Sequence, residues 1–178
     1  MAEEDTRRRI TEAAVDLHGT VGPARTTVAE LARRAGVSRV TVYNHFPDDA
    51  SLLAACSAHW AERNPPPDLS AWPSIADVDE RLRVALGELY EWYGANEAML
   101  ANSERDAALV PALAGLRARR TTPFREAMLE LLTPAASPDR RALVAVGLEL
   151  RTWQALAARG LSPSEAAELM SRAAAAAY

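Results

Sequence analysis

The 178-residue chain contains no lysine: all 20 of its basic side chains are arginine. A GC-rich coding sequence gives the same bias, so no single arginine is read as functional on that ground alone. Arginine nevertheless suits bidentate phosphate and guanine contacts better than lysine does. Cysteine is nearly absent, and Cys56 stands alone. An intramolecular disulfide is excluded, and a reducing compartment is the default. In mid-helix beside Leu52, Leu53 and Ala55, this thiol reads as a small packing residue. Strand formers are sparse, with Ile10 and Ile75 the only isoleucines, whereas alanine abounds, which favours helix throughout. No apolar run approaches the roughly 20 residues needed to span a bilayer. The opening MAEEDTRRR lacks the apolar segment of a signal peptide. A cytoplasmic protein with no membrane partner is expected. His18, His45 and His59 fall in no metal-ligand spacing, and neither a Gly-rich phosphate loop nor a nucleophile elbow occurs. The expectation is therefore no enzyme, with no catalytic residue, metal or cofactor.

Apolar residues make up 49% of the chain and charged residues 25%, an ordinary globular balance, with a net charge of −4. The net charge argues against an indiscriminate nucleic-acid coat, but its distribution is uneven. Between Leu17 and Phe46 four arginines (Arg25, Arg33, Arg34, Arg39) face one acid, Glu30, for a local +3. From Pro65 to Tyr178 twelve arginines face fifteen acids, for −3. A basic element on an acidic body is compatible with specific DNA binding.

That basic element, RTTVAELARRAGVSRVTVYNHFPDDASLL from Arg25 to Leu53, carries the strongest pattern. Thr27 with Glu30 is a capping box: the hydroxyl takes an orphan N–H, and the carboxylate is expected to reach back. Val28, Leu31, Ala32 and Ala35 give one apolar helix face. Gly36 stands where a helix end wants a residue tolerant of positive φ, and Ser38 is a good N-cap for the next helix. In that second helix Val42 and Phe46 mark the buried side, and Val40, Thr41 and Asn44 fall opposite. Arg39, Tyr43 and His45 flank them with reach for phosphates or base edges. Two short helices around a Gly-containing turn, over about 27–46, form a helix-turn-helix whose second helix enters the DNA major groove. The candidate DNA-binding residues are Thr27, Ser38, Arg39, Val40, Thr41, Tyr43, Asn44 and His45. Arg7, Arg8 and Arg9 are read either as DNA-backbone contacts or as a solvated face.

TTVAELARRAGVSRVTVYNHF, ending in Tyr43-Asn44-His45-Phe46 and followed by Pro47 and Leu52-Leu53, resembles the DNA-binding domain of TetR-type transcriptional regulators. The similarity covers residues 6–64; beyond them it is one of length, helical character and order of elements. The resemblance implies an all-helical homodimer on a palindromic double-stranded DNA operator, most commonly a repressor released by a small-molecule effector. Two positions depart from the family pattern. Val40 stands where glycine is common, and Asp49 where a phosphate-binding lysine is usual. Asp48 or Asp49 as N-cap of a helix over 50–62 accounts for the acids.

The whole chain reads as all-α, with about nine helices. A three-helix DNA-binding domain over 1–64 precedes a helical effector-binding and dimerisation domain over 65–178, with Pro65, Pro66 and Pro67 as the boundary. A first helix runs from about residue 5 to 19 with Ile10, Ala13, Ala14 and Leu17 inward. A long helix over 74–93 is expected to end at Gly94, and a short one follows over 97–105. Pro111 opens a helix to about 132 with a kink at Pro123. Ser137 caps a helix over 138–158, and Ser162 with Glu165 forms a capping box for the last. Leu143, Val146, Leu150 and Leu156 on the first of these two, with Leu169, Met170 and Ala173 on the second, are the candidate dimer interface. Paired, they would make a four-helix bundle. Trp92, Tyr93, Met99, Phe124, Met128 and Trp153 are the candidate ligand-binding residues, since aromatics and methionine line apolar pockets. They also line cores, and only the family resemblance favours a pocket. The alternative function is a helical small-molecule-binding or protein-interaction module whose head does not bind DNA.

Overall fold

A computed structural model describes residues 2–177. Among them all regular structure is helical. Nine α-helices run in order: α1 (Ala2–Thr20), α2 (Val28–Ala35), α3 (Arg39–His45), α4 (Asp49–Arg63), α5 (Val78–Asp106), α6 (Pro111–Leu132), α7 (Pro138–Gly147), α8 (Leu150–Ala157) and α9 (Pro163–Ala175). The helices form two compact units that are not contiguous in sequence. The first is Met1–Pro65 with Ala98–Thr121, the second Pro66–Glu97 with Thr122–Tyr178. The chain leaves the first unit at the proline run but returns to it with the end of α5 and the start of α6.

In the first unit, helical spacing brings Ile10, Ala13, Ala14 and Leu17 of α1 onto one side. They bury against Leu31, Ala32 and Ala35 of α2, Val42 of α3, Phe46 and Cys56. Each short helix is capped. Thr27 accepts from the Glu30 N–H at 3.2 Å, Ser38 from Thr41 at 3.0 Å, and Asp48 from Ser51 at 2.7 Å. The end of α5 is tied to the α1–α2 connection. Asn102 Nδ2 donates to the carbonyls of His18 and Gly19, both at 3.0 Å, and the buried Asp106 carboxylate accepts from the Ala24 N–H at 3.0 Å. Arg105 lies 2.7 Å from that carboxylate and holds it below the usual carboxylate range, against the opposing effect of burial. Gly22 in this connection has φ +97°, and a Cβ there would run into the Arg105 and Asp106 side chains. Only glycine suits the position.

In the second unit α5 buries Leu82, Ala85, Leu86, Leu89, Tyr90 and Tyr93. Trp72, in a 3-10 turn before it, is fully buried and donates from Nε1 to Glu88 at 2.9 Å. α9 packs on α7 and α8 and is opened by the capping box read from the sequence, with reciprocal bonds between Ser162 and Glu165.

Four local expectations are corrected. Gly94 does not end a helix: α5 runs on to Asp106, and the segment over 97–105 is its continuation. The missing Cβ is used sideways instead, because the Trp153 ring lies 3.3 Å from where it would stand. The start of α5 is likewise later than Ser74, at Val78, where Asp77 accepts the Glu80 N–H at 2.8 Å. The helix expected over 138–158 is two, broken at Leu148 and Glu149. Two buried tyrosines stabilise the break: Tyr90 donates to the Gly147 carbonyl and Tyr93 to that of Leu148, each at 2.8 Å. Satisfying freed carbonyls in this way removes the main cost of interrupting a buried helix. Finally, the carboxylate of Glu30 pairs with Arg33 instead of completing the capping box at Thr27.

Candidate nucleic-acid interface

The geometry of α3 follows from its two anchors. Val42 and Phe46, one turn apart, are 2% and 3% exposed, and fix which side of the helix faces the core. The other side is left outward. Val40 is 67% exposed and Tyr43 55%, unusual for large apolar side chains. Ser38, Arg39 and Asn44 are exposed beside them, and Thr41 and His45 are half-buried. Thr41 Oγ1 lies 2.8 Å from Ser38 Oγ, so the cap and the first turn share one hydroxyl pair. No ion pair neutralises Arg39 among the described residues. Thr27 is exposed at the start of α2. All eight candidate DNA-binding residues thus lie on or immediately before the two helices of the turn.

The turn itself is set by Gly36 in the left-handed region (φ +65°, ψ +39°), whose N–H bonds back into the last turn of α2. Val37 N–H reaches Ala32 O at 3.0 Å, and its side chain packs on the core.

The three arginines of α1 are all exposed, as a solvated face would have them, but they have different partners. Arg8 pairs with Asp5 and Glu12 on its own helix. Arg7 Nη1 donates to the His45 carbonyl at 2.6 Å, and its guanidinium lies 4.1 Å from the centroid of the Phe46 ring. Arg9 Nη2 donates to the carbonyls of Ala35 at 2.5 Å and Gly36 at 3.2 Å. Their sequence signal was weak, since three adjacent arginines read equally as a charged face. Asp106 left a better trace. An acid at a helix C-terminus meets the negative end of the dipole and needs a partner.

Asp48, not Asp49, is the N-cap of α4, and the Ser51 N–H and hydroxyl hold its carboxyl below the ordinary range. His18 is buried.

The remaining candidate residues divide between the units. Trp92, Tyr93, Phe124, Met128 and Trp153 belong to the second. Tyr93, Met128 and Trp153 are buried there, and Trp153 stacks on Tyr90 at 5.4 Å. Met99 belongs to the first unit, where its methyl lies 3.7 Å from where a Cβ on Gly19 would stand. On α7, α8 and α9, Val146 (50%) and Leu169 (39%) are exposed, Ala173 is exposed, and Leu143, Leu156 and Met170 are half-buried. Leu150 is buried in its own unit, because the break before α8 turns it inward. Among the described residues no cluster of three potential metal ligands occurs, and no helix is long and apolar enough to cross a membrane.

An all-helical chain with a capped helix-turn-helix near its N-terminus and an exposed second helix defines the class of helix-turn-helix regulators. Residues 10–56 match the family model described as bacterial regulatory proteins, tetR family. Over that span the chain is similar to the DNA-binding segment of TetR-family regulators. An uncharacterized HTH-type transcriptional regulator of Mycobacterium tuberculosis is 51% identical over 51 residues, which cover 29% of this chain and 27% of that protein. The match therefore spans about a quarter of the relative's length. Over the whole chain the likeness is one of fold. A TetR-like transcriptional regulator from Rhodococcus sp. RHA1 superposes with a TM-score of 0.65 at 22% identity, covering 95% of this chain and 93% of that one. A multidrug binding protein, EbrR, complexed with imidazole superposes with a TM-score of 0.58 at 25% identity, covering 93% of each chain.

Proposed function

We propose that this protein is a sequence-specific, homodimeric DNA-binding regulator that represses from a palindromic operator and is released by an apolar or amphipathic small molecule. The observation that carries the reading is the outer face of α3. Val40 and Tyr43 are exposed together while Val42 and Phe46 hold the helix by its other side. Tyr43, Asn44 and Arg39 then face base edges and phosphates, and Ser38 and Thr27 offer hydroxyls to the backbone. Twofold pairing follows from affinity, because one head reads too few base pairs, whereas two heads one DNA turn apart gain both binding and site selection. Val146 and Leu169 are the exposed apolar side chains that support a bundle across the axis.

The effector reading rests on the aromatic cluster of the second unit. Trp153 Nε1 is buried without a hydrogen-bond partner among the described residues, so a ligand bearing an acceptor would satisfy it. A neighbour of the same fold is described as a multidrug binding protein. Release requires that the ligand bind more tightly to a dimer whose heads no longer match successive major grooves.

The test is retardation of a labelled duplex from the region upstream of the protein's own reading frame. A selective shift with steep salt dependence is expected. Tyr43→Ala and Arg39→Ala should each weaken it about tenfold or more, with helix content and dimer mass unchanged. Equal affinity in both variants would refute the assigned face.

A further inference from the structure

The contacts of Arg7 and Arg9 give α1 a task beyond packing. Each guanidinium reaches the C-terminal end of a different helix of the turn, Arg7 the His45 carbonyl that closes α3, Arg9 the Ala35 and Gly36 carbonyls that close α2. Those carbonyls carry the negative end of each helix dipole and lack intrahelical partners. Two further features specify arginine there. The Arg7 guanidinium carbon lies over the ring of Phe46, the residue that anchors α3 to the core. At Gly36, a Cβ would stand 2.8 Å from Arg9 Nη2, so the glycine that makes the turn also makes room for the guanidinium. Arg8, between them, forms ion pairs along α1.

We propose that Arg7 and Arg9 are positioning residues for DNA reading. They clamp the ends of α3 and α2, fix the pitch at which Tyr43 and His45 are presented, and make no phosphate contact themselves. The proposal rests on the DNA-reading function above and adds two residues, outside the turn, to what sets its selectivity.

The experiment uses the full chain and two probes: the duplex that the wild-type protein enriches from a random pool, and a scrambled duplex of equal length. Arg7→Ala should lower affinity for the enriched duplex about tenfold and leave affinity for the scrambled one unchanged. The slope of log affinity against log salt should also stay the same. Arg7→Lys should not restore binding, because an ammonium offers neither the planar fork nor the stacking face. A phosphate contact gives the opposite pattern. The slope falls by about 0.9, both duplexes weaken alike and lysine restores binding; that result overturns the proposal. Amide exchange of the free variants separates the two clamps from a general loss of stability. Arg7→Ala should deprotect the Phe46 N–H, which bonds to Val42 O at 2.8 Å. Arg9→Ala should deprotect the N–H groups of Gly36 and Val37. Undiminished protection in both variants would also overturn it. A wild-type protein that enriches no duplex refutes the DNA-reading function itself, and the clamp's purpose with it.

Discussion

Burial sets the charge state of two neighbouring side chains in the first unit. His18 is 6% exposed, and burial lowers its pKa from 6.5 to about 4, with the charge of Asp106 opposing the shift. Its Nδ1 lies 3.6 Å from Cys56 Sγ, whose thiol donates to the Leu52 carbonyl at 2.9 Å and is pushed up to about 12 by burial. Both groups are neutral in the folded protein at pH 7, and the thiol is too poor a thiolate source for redox chemistry. The imidazole has a consequence for stability. Below about pH 6.5 the unfolded chain takes up a proton that the folded one refuses until about pH 4. The contribution is thus whole above 6.5 and is lost as pH falls toward 4, by about 3 kcal/mol. Denaturant melts of wild type and His18→Gln should diverge in pH dependence across that window, the wild type losing more. Parallel curves would show that His18 is protonated within the fold.

Among the helices, legibility followed the range of the interactions that define each one. α2 and α3 were the most readable, because their caps (Thr27, Ser38), their left-handed Gly36 and the anchors Val42 and Phe46 are all local. In two places the sequence misled because a distant side chain overruled a local signal. Gly94 carries the usual mark of a helix end, yet the Trp153 ring fills the space beside it and α5 continues. Nothing between Ser137 and Ala158 announces a break, which depends on hydroxyls from Tyr90 and Tyr93, more than fifty residues away in sequence. The interface residues suffered accordingly. With α7 and α8 taken as one helix, Leu150 seemed to share a face with Val146, but in the structure one is buried and the other exposed. Arg7 and Arg9 were ambiguous for the same reason, since their acceptors are carbonyls and backbone oxygens leave no trace in a sequence.

For the molecule as a whole, the basic stretch from Leu17 to Phe46 set in an acidic chain has a physical use. It favours a duplex at the turn while the net charge of −4 discourages indiscriminate binding. In the proposed dimer, twofold pairing determines whether such a head is selective. Val146→Glu combined with Leu169→Glu places two carboxylates on the proposed interface without touching α3. Sedimentation should show a monomer of unchanged helix content, and operator affinity should drop about a hundredfold or more as the second head loses its effective concentration. An unaltered dimer would remove α7 and α9 from the interface. The central claim, that α3 reads bases from a symmetric pair of heads, is tested most directly by sequencing the duplexes the protein retains from a random pool. Enrichment of a palindrome with half-site centres about one helical turn, roughly 34 Å, apart is expected. Retained duplexes with no common sequence, or none retained at all, would contradict it.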